Sequence, residues 1–102
     1  KFLPGGNAQE LQKALLPYSN APIYLTIDLD WFDPSLLAGT GTPEPGGFFW
    51  NDFEEILNTL KDFRIVASDI VELSPEIDKS GVSSIVAAKV LRSLILSLEN
   101  MQ

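Results

Sequence analysis

Cysteine and histidine are both absent from the 102 residues. Without cysteine there is no disulfide framework, no thiolate zinc site and no cysteine nucleophile. Without histidine there is no imidazole to act as general base or metal ligand within the chain. Basic residues are scarce. Lys and Arg number 7 against 14 Asp and Glu, a net charge of −7. That balance argues against the basic patch on which non-specific nucleic-acid or anionic-membrane binding depends, so neither partner is expected. It suits cations or cationic small molecules, and it serves solubility equally well. No apolar run approaches the ~18 residues of a membrane span. No signal peptide is visible, and a cytoplasmic location is the expectation. The length fits one domain or a piece of one. With 45% hydrophobic and 10% aromatic residues, the composition suits a packed core rather than disorder.

The chain is organised around Tyr24-Leu25-Thr26-Ile27-Asp28-Leu29-Asp30-Trp31-Phe32-Asp33-Pro34. An apolar, β-prone run ends in two carboxylates two positions apart, and a turn follows. On a strand, residues i and i+2 point to the same face, which would aim Asp28 and Asp30 at one point. Adjacent anions repel, and burial raises the cost, unless a cation lies between them. Hard divalent cations such as Mg²⁺ or Mn²⁺ take oxygen ligands of this kind, so the pair reads as half of a metal site. A turn-forming aspartate explains Asp33-Pro34 well. It explains Asp28 less well, because Asp28 still lies inside the apolar run.

Periodicity places the remaining elements. Asn7 and Glu10 fit a capping box ahead of a helix from about Ala8 to Leu16, which ends near Pro17. The first strand runs from about Ile23 to Leu29 and shows little alternation, the pattern of a central strand in a helix-covered parallel sheet. Trp31 to Gly47 forms a long loop rich in proline and glycine, and loops longer than about 12 residues are often functional. Phe53, Ile56, Leu57 and Leu60 mark the core stripe of a second helix. A second strand, about Arg64 to Leu73, turns acidic at its far end with Asp69 and Glu72. A long final helix carries Val82, Ile85, Val86, Val90, Leu91, Leu94, Ile95 and Leu98. The order helix-strand-helix-strand-helix gives an α/β fold with parallel strands, whose ligands bind outside the carboxyl ends of the strands.

Asp28, Asp30, Asp69 and Glu72 would converge at that edge. Glu72 could hold a cationic group of a substrate through charge-assisted hydrogen bonds. Asp69 fits either a supporting role behind the metal ligands or a hydrogen-bonded core acid. Glu44, Asp52, Glu54, Glu55, Glu76 and Asp78 read as solvated surface. A strand ending in Asp-x-Asp also occurs in haloacid-dehalogenase-like phosphatases, but Phe32 stands where those place Thr or Val.

Thr26-Ile27-Asp28-Leu29-Asp30, Asp33-Pro34, Gly39-Thr40-Gly41-Thr42-Pro43 and Gly46-Gly47 together resemble the signature of the ureohydrolases, the arginase and agmatinase family. Thr42-Pro43-Glu44-Pro45-Gly46-Gly47 looks more like the agmatinases. The resemblance continues through Ser68-Asp69-Ile70-Val71-Glu72-Leu73-Ser74-Pro75 and into the final helix. It implies a three-layer α/β/α fold with a central parallel sheet, and a binuclear manganese site. Asp28 would bridge two Mn²⁺ ions and Asp30 would ligate one. Thr42 would lie near the substrate, and Glu72 would pair with its guanidinium group. The implied reaction is attack by a metal-bridging hydroxide on a guanidino carbon, releasing urea and an amine, with agmatine the expected substrate. A homo-oligomer, trimer or hexamer, is expected of the full-length enzyme. The family's other metal ligands and its proton shuttle include histidines, which this chain lacks. The expectation is therefore the C-terminal portion of a ureohydrolase, inactive alone. A free-standing, non-catalytic binding or assembly domain is the alternative, and a haloacid-dehalogenase-like phosphatase is the third reading.

Overall fold

The structure, a computed structural model, describes residues 8–100. The expected capping box involves Asn7, which lies outside the described residues. Helix α1 spans Ala8–Leu15 and passes into a 3₁₀ turn, Leu16–Tyr18, where Pro17 ends the α-helical ladder. Strand β1 spans Ile23–Asp28, helix α2 Trp50–Leu60, strand β2 Ile65–Val71 and helix α3 Val82–Asn100. The two strands pair in parallel, from Ile23 opposite Ile65 to Asp28 opposite Val71, with an irregularity after Ile23. Helix α2 makes the crossover between them. The expected element order and the α/β class are both present.

The sheet buries one face. Leu25, Ile27 and Ile70 pack onto a core of Leu29, Phe32, Leu37, Phe53, Leu57, Val90 and Leu94. A second cluster of Leu60, Phe63 and Ile65 draws in Leu11 and Leu15 of α1. The α2 stripe is the one its spacing predicts, with Phe53, Leu57 and Leu60 buried. The other face of the sheet differs from the expectation of a strand covered on both sides. Among the described residues β1 alternates between half-buried and exposed, and Tyr24 is 61% exposed. Helix α3 likewise buries only part of its apolar surface. Val90 and Leu94 are enclosed, whereas Ile85 is 69% and Ile95 55% exposed.

Candidate metal centre

Strand β1 stops at Asp28 rather than continuing through Leu29. The backbone turns into a 3₁₀ segment, Leu29–Trp31, and Asp28 caps it, its Oδ1 accepting from the Asp30 amide at 3.1 Å. Asp28 and Asp30 are thus not i and i+2 of one strand. They are brought together by a capped turn, the local competition that aspartate commonly wins over strand pairing. Leu29, between them, is fully buried and anchors the turn in the core.

The loop that follows is pinned. Asp33 accepts from the Ser35 amide and hydroxyl, and its Oδ1 also accepts from the Gly46 and Gly47 amides at 3.0 and 3.1 Å. These bonds favour the ionised form and hold the Asp33 carboxyl down at about 2. The Asp33 amide donates to the Phe48 carbonyl and the Phe48 amide to the Trp31 carbonyl, while Trp31 stacks on Phe48 at 4.6 Å. The midpoint of the loop is tied across the molecule. Gly39 donates to the buried Ser83 hydroxyl at 2.7 Å, and its carbonyl accepts from Ser74. Between these ties, Thr42 donates through Oγ1 to Asp30 Oδ2 at 2.9 Å. Thr42 therefore reaches the acid pair directly.

Glu72 follows β2 with a φ of +73°. A side chain other than glycine is strained in this left-handed region, and such strain is often retained where a side chain must be aimed. Its charge is felt at Asp28. Burial first of all pushes the Asp28 carboxyl up, and the side chain of Asp30 and the charges of Asp30 and Glu72 act in the same direction. The Asp30 amide opposes them. Asp28 and Asp30 thus lie together at the carboxyl end of β1, and Glu72, just past β2, is near enough for its charge to act on Asp28.

Asp69 is placed differently. It lies opposite Thr26 in the sheet and accepts from the Tyr24 hydroxyl at 2.8 Å, which pushes the Tyr24 phenol up. Its other oxygen, Oδ1, is buried without a hydrogen-bond partner, as is Thr40 Oγ1. No described bond joins Asp69 to Asp28 or Asp30. Asp78, expected on the solvated surface, is instead structural. It accepts from the Ser80 and Ser83 amides and hydroxyls at the start of α3, which holds its carboxyl well below the usual range. Asp33 and Asp78 share a legible signal, Asp-x-Ser, in which the carboxylate turns back to bond the backbone two residues on.

The donor set can be weighed against a metal. Asp28 and Asp30 supply hard oxygen ligands from one side, which fits Mn²⁺ or Mg²⁺. Among the described residues no group of three or more His, Cys, Asp or Glu is placed to hold an ion. The pair would serve as part of a coordination shell.

The parallel α/β core carries acids at its strand ends, the edge at which open α/β sheets bind ligands. The model of the arginase family matches residues 4–97, and the chain belongs to that family. It is 37% identical over 91 residues to an agmatinase of Chromobacterium violaceum, covering 89% of this chain and 27% of that protein. It is 33% identical over 91 residues to the proclavaminate amidinohydrolase of Streptomyces clavuligerus, covering 89% and 28% respectively. The solved structure of the Streptomyces enzyme matches with a TM-score of 0.83 at 28% identity, over 94% of this chain and 33% of that one. The Helicobacter pylori arginase structure matches with a TM-score of 0.76 at 26% identity, over 90% and 32%. The chain thus spans between a quarter and a third of the length of these relatives.

Proposed function

We propose that the chain supplies one side of the metal and substrate site of a manganese-dependent ureohydrolase of agmatinase type. The observation that carries this reading is the gathering of Asp28, Asp30, Thr42 and Glu72 at one edge of the sheet, with Thr42 bonded to Asp30 at 2.9 Å. Asp28 and Asp30 would hold Mn²⁺, in the complete enzyme two ions, from this side. Bound there, the metal supplies a water of lowered pKa and charge stabilisation at the amidino carbon.

The chain's own residues do the rest of the local work. Thr42 fixes the outer oxygen of Asp30, so that carboxylate holds its aim. Glu72 presents its carboxylate to the guanidinium of the substrate, a pairing suited to bidentate, charge-assisted hydrogen bonds. The uncompensated negative charge of Asp28, Asp30 and Glu72 draws a cationic substrate toward the edge. Asp69 ties β2 to β1 by accepting from the Tyr24 hydroxyl. Water and a guanidino compound, agmatine foremost, are the reactants; urea and an amine are the products. The complete protein is cytoplasmic and a trimer or hexamer on this reading.

Two carboxylates leave most of the coordination of an ion to water, so the 102-residue chain should bind Mn²⁺ weakly and catalyse nothing alone. Electron paramagnetic resonance of free Mn²⁺, titrated with the chain, measures the binding. Loss of that binding in Asp28→Asn supports the assignment, and its persistence removes it. Urea released from agmatine or arginine by the purified chain with Mn²⁺ would refute the half-site reading.

A further inference from the structure

The exit from β2 and the long loop meet at one buried joint, with Gly39 at its centre. The Gly39 amide donates to Ser83 Oγ at 2.7 Å, and its carbonyl accepts from the Ser74 amide at 2.7 Å. Ser83, near the start of α3, is 1% exposed. Its hydroxyl donates onward to Asp78 Oδ2, which also accepts from the Ser83 amide at 3.0 Å. A hydroxyl has one proton to give, so with that proton committed to Asp78 the oxygen is left to accept from Gly39. The joint is also tight. A Cβ at Gly39 would lie 2.8 Å from Ser83 Cβ and 2.9 Å from its Oγ. A chain of bonds thus runs from Asp78 through Ser83 and Gly39 to Ser74, two residues past Glu72.

We infer that Ser83 is a positioning residue for Glu72. Through Gly39 and Ser74 it holds the Glu72 backbone in the left-handed conformation from which the carboxylate serves the substrate. The inference rests on the role proposed above for Glu72. Strain such as its φ of +73° persists only where the surroundings over-determine the backbone. Here both flanks are held. Val71, before Glu72, pairs with Asp28; after it, Leu73 packs on the core and Ser74 is bonded to Gly39. Two residues of backbone span at most ~7 Å, so slack at Ser74 passes directly to Glu72. The acid pair is better insulated from the joint. Thr42, which bonds Asp30, is three residues from Gly39, and the far side of its loop has separate ties from Gly46 and Gly47 to Asp33. Loss of the Ser83 hydroxyl should therefore release Glu72 and spare Asp28 and Asp30.

The test is a double-mutant cycle on KM in the complete enzyme. Ser83→Ala should raise KM for a guanidino substrate about fivefold, with kcat and metal content unchanged, the sign of lost substrate binding. With Glu72→Gln already in place, the same change should raise KM by less than about twofold, because the contact it serves is gone. A serine that only stabilises the fold predicts equal factors in the two backgrounds. That result overturns the inference, as does an unchanged KM in Ser83→Ala. Gly39→Ala opens the same joint by crowding rather than deletion and should raise KM in the same way; a normal KM there also overturns it. If neither variant folds, the joint is a folding element and the inference is lost. In the 102-residue chain alone, Ser83→Ala should speed exchange of the Ser74 amide about tenfold more than that of Val90 in the core. Equal acceleration of the two amides means global loosening and refutes the local tie. A KM unmoved by Glu72→Gln would strike the role of Glu72, whereas a KM raised there but unmoved by Ser83→Ala strikes the joint alone.

Discussion

Replacing Gly47 with alanine should uncouple the long loop from the acid pair. A Cβ at Gly47 would sit 2.6 Å from the Asp33 amide nitrogen, 2.7 Å from its Cα and 2.8 Å from the Phe32 carbonyl carbon. All three obstacles are backbone, so relief requires the two arms of the loop to part. Parting stretches the Asp33-to-Phe48 and Phe48-to-Trp31 backbone bonds, now 2.8 and 3.0 Å. Two net hydrogen bonds at about 1 kcal/mol each, added to about 1–3 kcal/mol of overpacking, give a cost of about 3–5 kcal/mol. Two neighbours serve as graded controls. Alanine at Gly46 meets nothing within 4 Å but inherits a φ of +92°, a backbone cost of about 1 kcal/mol. Alanine at Gly41 also meets nothing within 4 Å and has no such φ, so its cost is near zero. Urea unfolding followed by tryptophan fluorescence reads all three, since Trp31 stacks on Phe48 at the junction. The reasoning is refuted if Gly47→Ala lies within 1 kcal/mol of Gly41→Ala, the overpacking and lost bonds together predicting about 3 kcal/mol or more.

Other perturbations separate the roles of the acids. Asp33 has a folded value of about 2 against an ordinary 3.8, so its contribution to stability is complete above about pH 4 and is lost as pH falls toward 2. Asp33→Asn should therefore lower the urea midpoint at neutral pH and flatten its acid decline; parallel acid limbs in the two proteins would contradict this. Glu72→Gly relieves a left-handed backbone, worth about 1 kcal/mol, and should raise the midpoint; a lower midpoint would show that the side chain stabilises the fold. In the complete enzyme, Glu72→Gln should raise KM for a guanidino substrate while sparing metal content, and metal loss would assign Glu72 another role. Asp28→Asn should remove both ions and Asp30→Asn one preferentially, measured by elemental analysis of the purified enzyme.

Regular structure was the most legible part of the sequence. The α2 stripe follows from side-chain period, and both strands from apolar, β-prone runs. The candidate site was legible as a set of residues more than as a geometry. Asp28 and Asp30 lie together, as expected, but through a capped turn and not by strand alternation, because aspartate satisfies a nearby amide more readily than it extends a ladder. The bonds that shape the loop join Asp33 to residues 13 and 14 positions away, and no local pattern reports such separations. Asp78 read as a surface acid although its Asp-x-Ser spacing to Ser80 signals a local turn; only its bonds to Ser83 depend on α3 starting beside it. Tyr24 as the partner of Asp69 depends on sheet register, set by residues 45 apart. The left-handed backbone at Glu72 has no signature in a residue type that normally avoids it.

The capped turn at the end of β1 makes position 28 doubly constrained. One oxygen of Asp28 is engaged by the amide of Asp30, which restrains the side-chain torsion. Asparagine could keep the cap through its carbonyl oxygen while discarding the charge. Glutamate would keep the charge, but its extra methylene carries the carboxylate past the amide and frees the torsion. The two nearest substitutes thus each forfeit a different half of what aspartate does there. A side chain with one carbon between backbone and carboxylate satisfies both demands at once, so the geometry of the turn, as much as any metal, dictates the residue.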